Sequence, residues 1–257
     1  MNENNENEKN LFDIVIPVGP DDKCVLSKQI EFTKKNIIGY RNIYLICNDP
    51  TIIIEGCITI DEKIFPFSMN TVRNILGNVY FNGFCKNGWY LQQLLKLYSL
   101  IIIPGILERS LILDCDTFFL KPTKFIKNNK CLYNYGTEYV DFYFDHMYKL
   151  DYNLTKVYRT KSGICHHMMF EKKHIIILIN KIEANHNDKF YNIFLKMVEF
   201  LYAGASEWEI YFNYIFKFHN DTVEIRELKW KNSGSLDDIY VNDSNYDYIS
   251  YHYYLRE

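Results

Sequence analysis

Short apolar runs and helical periodicities alternate along the first half of the chain. Asp13-Ile-Val-Ile-Pro-Val18 is an apolar run closed by Gly19-Pro20, the pattern of a strand buried on both faces. Ser27 to Ile38 has helical spacing, with Ser27 as the expected N-cap and Gly39 as the stop. Asn42-Ile-Tyr-Leu-Ile-Cys47, closed by Asn48-Asp49-Pro50, predicts a second strand, and Ile58-Thr-Ile60 a short third one. This strand–helix–strand rhythm predicts a parallel α/β sheet. From Trp89 to Ile103, Leu91, Leu94, Leu95, Tyr98 and Ile102 share one helical face, so a core helix is expected, ended by Pro104-Gly105. Leu111-Ile-Leu113 predicts a fourth strand that runs directly into Asp114-Cys115-Asp116.

The second half is less regular. Ile164 to Phe170 and Asp221 to Trp230 read as strands, and Glu171 to Ala184 and Asp188 to Tyr202 as helices. Ser206 to Phe218 reads as a further helix, opened by a capping box of Ser206 and Glu209 that gives Glu209 a structural role. Tyr246 to Tyr254 is a tyrosine-dense extended segment. Residues 1–10 are polar and read as a disordered tail; with no repeat and no linker, residues 11–257 read as a single domain.

Charge narrows the choice of ligand. The chain has 257 residues, with 29 Lys+Arg against 32 Asp+Glu, a net charge of −3. Bulk positive charge for nucleic acid is absent, so an anionic ligand must be met locally, by a metal ion or a few placed donors. The seven cysteines are odd in number, form no C-x-x-C and lie mostly in apolar runs, which fits reduced thiols in a cytoplasmic protein (the host cytoplasm if viral). The N-terminus has no apolar signal-peptide core, and stretches such as Leu97 to Leu107 are too short or interrupted to span a bilayer. The 22 tyrosines suit a sugar-binding surface or reflect AT-rich coding, and composition does not separate the two.

The sharpest chemical feature is the carboxylate pair Asp114 and Asp116 at the end of a buried strand. In open α/β sheets that end is where ligands bind. Two carboxylates there would repel and lose hydration unless a cation sat between them, so Mg²⁺ or Mn²⁺ with diphosphate oxygens is the expected occupant. No G-x-G-x-x-G or P-loop pattern occurs, which disfavours a dinucleotide or Walker-type site.

In this order, Asp13-Ile-Val-Ile-Pro17, Ile43-Tyr-Leu-Ile-Cys-Asn48, Gly88-Trp-Tyr-Leu-Gln-Gln-Leu-Leu-Lys96 and Ile112-Leu-Asp-Cys-Asp116, the sequence resembles a GT-A type, DxD-containing glycosyltransferase, similar to a bacterial and giant-virus group of small transferases. The resemblance covers roughly residues 11–255. It implies a Rossmann-type, mostly parallel central sheet flanked by helices, a UDP-sugar donor, a glycan or other hydroxyl acceptor, and Mn²⁺ or Mg²⁺. It places Asp114, Cys115 and Asp116 at the donor, with Asp114 and Asp116 at the metal and His252 as a further ligand. Pro17, Val18 and Asn48 would line the nucleotide, and Trp89 and Gln93 would approach the donor. Glu207 is the candidate base, with Asp141 and Asp145 as weaker alternatives, while an acidic residue in a first helical turn also has a purely structural use. His166 and His167 are candidate acceptor contacts; adjacent on a strand, they should face opposite ways. Lys96 reads as a solvated helix charge, with diphosphate contact as the alternative. Two competing functions stay open: a sugar-nucleotide nucleotidyltransferase, which the short acidic Gly19-Pro-Asp-Asp-Lys23 loop disfavours, and a non-catalytic glycan-binding relative, which the intact carboxylate pair disfavours. A phosphohydrolase would want its D-x-D-x-T at the N-terminus.

Overall fold

Every residue of Phe12–Val18 is buried, so this first strand, β1, lies inside a sheet covered on both faces. The computed structural model describes residues 10–81, 83–199, 204–240, 245–252 and 255–256. The expected disordered tail therefore lies, but for residue 10, outside the described residues. The other principal strands are β2 (Tyr40–Cys47), β3 (Ile58–Asp61), β4 (Arg109–Leu113), β5 (Thr117–Phe119), β6 (Lys130–Tyr133), β7 (His167–Glu171), β8 (Val223–Ile225), β9 (Trp230–Ser233) and β10 (Tyr248–Tyr251). The helices are α1 (Lys23–Asn36), α2 (Met69–Leu76), α3 (Asn87–Ile102), α4 (Asp141–Leu150), α5 (Lys172–His186), α6 (Phe190–Lys196) and α7 (Glu207–Phe218).

The central sheet has the order β7-β4-β1-β2-β3. β1 runs parallel to β2, with Val18 opposite Cys47, and to β4, with Ile14 opposite Leu111; β2 and β3 are also parallel. Only β7 is antiparallel, with His167 opposite Leu113. The fold is thus a mixed α/β structure with a mostly parallel central sheet flanked by helices, the class expected from the strand–helix rhythm. The chain builds outward from β1 through β2 to β3, then returns to set β4 on the other side of β1. The carboxyl ends of β1 and β4 therefore flank the point where strand order reverses, and such a point leaves a crevice for a ligand.

A smaller sheet, β9-β10-β5, closes that crevice from the C-terminal side. Ser250 lies opposite Thr117, and Trp230 lies opposite Tyr248. Because β5 starts immediately after Asp116, this pairing fixes β10 and His252 beside the carboxylates. α3 packs on β1 and β4 and against α2, α5 and α7. It has no solvent face over residues 93–100, all of which are buried.

Several element boundaries differ from the sequence reading. α1 begins at Lys23 rather than Ser27, because a 3₁₀ turn over Pro20–Asp22 feeds it and Asp22 takes the N-cap position. β7 starts at His167 rather than Ile164, since His166 has φ 65° and cannot continue a strand. The expected strand from Asp221 to Trp230 is a 3₁₀ turn followed by two short strands that join different sheets. α6 ends at Lys196, and positions 200–202 of the longer helix expected there lie outside the described residues. Positions 253–254 of the tyrosine-rich segment do so too. α2 and α4 carry no expectation from the sequence. Among the described residues no helix is long and apolar enough to cross a membrane.

Candidate active site

Leu111, Ile112 and Leu113 are completely buried, so β4 delivers Asp114 to the crevice from a rigid base. Three main-chain hydrogen bonds then pin the turn. Asp114 N donates to His166 O (3.0 Å), Thr117 N to Asp114 O (3.1 Å) and Tyr251 N to Asp116 O (2.8 Å). The turn breaks the same-face rule for residues i and i+2, which holds only on a regular strand. The two carboxylates consequently have different partners. Asp114 Oδ1 is 2.5 Å from Lys96 Nζ, and its Oδ2 is 3.4 Å from His166 Nδ1. Asp116 Oδ2 is 3.1 Å from His252 Nδ1.

Lys96 corrects the reading of a solvated helix charge. It is 2% exposed, and its ammonium lies 2.6 Å from Glu207 Oε1 as well as against Asp114, with the Trp208 ring 4.2 Å from the nitrogen. Burial alone would push its pKa down, but Asp114 and Glu207 together hold it above its ordinary value. In return, Lys96 and His166 overcome the burial of Asp114 and keep its carboxyl well below the usual range. Glu207 stays raised: its burial and the nearby Asp114 charge outweigh the help from Lys96. One cation therefore serves two carboxylates, and Glu207 is the less strongly ionised of them.

Glu207 opens α7 and is 3% exposed. Its backbone N donates to Gln93 Oε1 at 3.1 Å, so Gln93 is a buried brace for this helix start rather than a donor contact. The cavity wall carries the neighbouring Gln92 instead. The Ser206–Glu209 capping box is half formed: Ser206 accepts from Glu209 N, while the Glu209 carboxylate accepts from Ser162 Oγ (2.6 Å) and Asn213 Nδ2 (2.7 Å).

These groups open on a cavity of about 680 Å³. Pro17, Val18, Asn48, Trp89, Asp114, Cys115, Asp116, His166, Glu207 and His252 all line it, so most of the expected site residues meet in one place. His167 does not. It is 2% exposed among Phe119, Phe125 and Tyr248, and burial, with Arg226 nearby, pushes it down to about 3. It is a neutral core histidine, not an acceptor contact. Asp141 and Asp145 are exposed on α4 and lie off the cavity wall.

The cavity is acidic. Asp21, Asp22, Glu62, Asp114, Asp116, Glu138 and Glu207 line it against Arg73, Lys86 and Lys96. Asp22 is pushed up to about 6 by burial and then by the Asp116 charge, despite its 2.6 Å ion pair with Arg256. His252 is raised, because the Asp116 carboxylate outweighs its burial. Among the described residues no group of three or more His, Cys, Asp or Glu side chains is arranged to hold a metal ion. Asp116 and His252 thus offer two protein donors, whereas Asp114, expected at the metal with them, is engaged by Lys96 and His166; an ion held there would complete its shell with ligand oxygens and water.

No family model matches the chain, and no curated protein matches it in sequence. Among solved structures it is similar to mouse xyloside xylosyltransferase 1 in its apo form, at 9% sequence identity, over 96% of this chain and 99% of that chain, with a TM-score of 0.49.

Proposed function

We propose that this chain is a GT-A-like glycosyltransferase that binds a nucleoside-diphosphate sugar, UDP-linked by preference, with Mn²⁺ or Mg²⁺ and passes the sugar to a hydroxyl of a glycan. The observation that carries the reading is the carboxylate pair at the strand-order reversal, with Asp116 facing His252 across a cavity wall that is otherwise acidic. A diphosphate cannot enter so acidic a cavity on the strength of Arg73, Lys86 and Lys96, and Lys96 is already committed to two carboxylates. A divalent cation resolves the conflict. Asp116 and His252 suit it, imidazole favouring Mn²⁺ over Mg²⁺, and diphosphate oxygens would fill the positions that two protein donors leave open.

Each residue then has a task. Asp116 and His252 would hold the ion, whose chemistry there would be to neutralise charge on the departing nucleoside diphosphate. Asp114, kept ionised by Lys96 and His166, faces the ribose or the metal-held nucleotide. Pro17, Val18 and Asn48 border the base end. In an inverting transfer the acceptor oxygen attacks the anomeric carbon, the bond to the diphosphate breaks with its electron pair, and Glu207 takes the hydroxyl proton. Burial raises the basicity of Glu207, and only Oε1 is committed to Lys96. In a retaining transfer Glu207 stabilises the developing positive charge instead. The nucleotidyltransferase alternative needs a glycine-rich basic loop after β1, and the wall there is Asp21 and Asp22.

The test is release of nucleoside diphosphate from a panel of nucleotide sugars with Mn²⁺, Mg²⁺ or EDTA. Turnover of at least one UDP-sugar should require metal. Asp116→Ala should lower it about 100-fold, the factor for losing roughly 3 kcal/mol of charge stabilisation. An Asp116→Ala enzyme with full metal-dependent turnover contradicts the assignment.

A further inference from the structure

A second cavity, of about 580 Å³, lies beside the first. Its wall carries three aromatic residues, Tyr135, Trp230 and Tyr246, together with Glu227, Lys229 and Asn245. We infer that this cavity is a carbohydrate subsite, holding the non-reacting end of a neutral oligosaccharide acceptor. Its role as an acceptor subsite depends on the glycosyltransferase reading; its chemistry as a carbohydrate site does not.

Sugar rings present C–H faces and hydroxyl edges. They are held by aromatic side chains with a few polar groups at the rim. This wall has both. Its lining carries one acidic and one basic side chain, Glu227 and Lys229, unlike the strongly acidic first cavity. The ammonium groups of Lys161 and Lys231 lie over the Tyr135 and Tyr246 rings at 4.8 and 5.5 Å, and Lys231 is paired with Asp238. A neutral oligosaccharide can hydrogen-bond to these groups without carrying charge of its own.

The 228–230 side of the wall is also braced, which lowers the ordering cost of binding there. Trp230 stacks on Tyr248 with centroids 5.6 Å apart and planes 8° apart, and their strands pair at that register. Leu228 N donates to Asn134 Oδ1 at 2.9 Å, and Lys229 N to Asp247 Oδ2 at 2.8 Å. The rim segment before Trp230 is thus tied to two other parts of the chain.

Continuity with the first cavity gives the bound chain its direction. The Trp230 ring meets His166 edge-on at 5.0 Å, and His166 lines the first cavity. One stretch of backbone also serves both: Tyr135 and Gly136 border the second cavity and Glu138 the first. Gly136 forms a two-way bridge to Ser162, and a β-carbon on it would sit 2.1 Å from Ile164 O. Ile164 is itself on the first wall. The segment 135–138 therefore borders both cavities, and a glycan laid along it would reach from one to the other.

A printed library of oligosaccharides, probed with the full chain and with Tyr135→Ala/Tyr246→Ala, tests the subsite. Both residues are half-buried and lie outside the first cavity. The wild type should retain at least one neutral oligosaccharide of three or more units, and the double variant should lose that signal about tenfold or more. Thermal shift with UDP and Mn²⁺ should be the same for both proteins. No oligosaccharide bound by the wild type, or equal binding by the variant, overturns the subsite. Loss of glycan binding in the variant with no nucleotide binding by either protein upholds a carbohydrate site and defeats the transferase reading, so the two failures are distinguishable.

Discussion

Replacing Lys96 with methionine removes one cation and strands two carboxylates. Lys96 Nζ lies 2.5 Å from Asp114 and 2.6 Å from Glu207 and is 2% exposed. At an effective dielectric of about 20, each contact is worth about 6 kcal/mol of gross attraction, most of it offset by the desolvation of the charges. What is measured on removing one partner of such a cluster is a loss of about 3–5 kcal/mol, because buried charge is left uncompensated. Urea denaturation at neutral pH reads that loss directly. Glu207→Gln alone should cost less, since Lys96 keeps Asp114. In the Lys96→Met background, Glu207→Gln should restore stability by at least about 1 kcal/mol, giving non-additive double-mutant energies. The loss in Lys96→Met should shrink in mild acid. A carboxyl whose folded pKa is raised destabilises the fold above its unfolded value, and the stability returns as falling pH protonates it. A Lys96→Met protein within about 1 kcal/mol of wild type, or energies that simply add, would refute the buried cluster.

Gly163→Ala should be damaging without touching any charge. An added β-carbon would lie 2.4 Å from Trp208 O and 2.6 Å from Phe212 Cβ, so it pushes α7 and with it Glu207. A loss of about 1–3 kcal/mol and reduced turnover are expected; wild-type urea midpoints would show that the helix yields freely. Acid should destabilise the fold through its buried neutral histidines. Burial pushes His146 down to about 4, while the unfolded chain protonates near 6.5. Stability from this group is complete above about pH 6.5 and is lost as pH falls toward 4, by up to about 3 kcal/mol. His146→Gln should flatten the pH dependence of the urea midpoint, and an unchanged slope would show that this histidine does not contribute.

The parts of the site that sequence makes legible are those set by local pattern. An apolar triplet ending in two aspartates reads as a buried strand that delivers them to the carboxyl end of a sheet, and β4 does so. The order of the segments likewise locates Pro17, Asn48 and His252, because topology brings strand ends and the C-terminal strand to one crevice. Lys96 escapes a reading that gives its helix a single apolar face. The signal lies in Tyr90, Leu97 and Leu100, which widen the apolar arc well beyond that face. A helix with so wide an arc is covered on most sides, and a lysine at its margin must be paired once it is buried. Gln93 leaves the cavity wall for a similar reason, since a small rotation of a largely buried helix decides whether it or Gln92 meets the cavity. His166 and His167 depend on a positive φ at His166 that nothing in the flanking residues announces. The split of β8 from β9 is tertiary in origin: each short strand is stabilised by a different partner sheet.

On the proposed reading, Asp116 and His252 bind a divalent ion together with a nucleoside diphosphate. Isothermal titration of UDP into the protein with Mn²⁺, and again with EDTA, tests this joint binding. Binding should be tight with Mn²⁺ and at least about tenfold weaker with EDTA, and His252→Ala should abolish most of the metal-dependent difference. UDP binding of equal strength with Mn²⁺ and EDTA, or no binding under either condition, would contradict it.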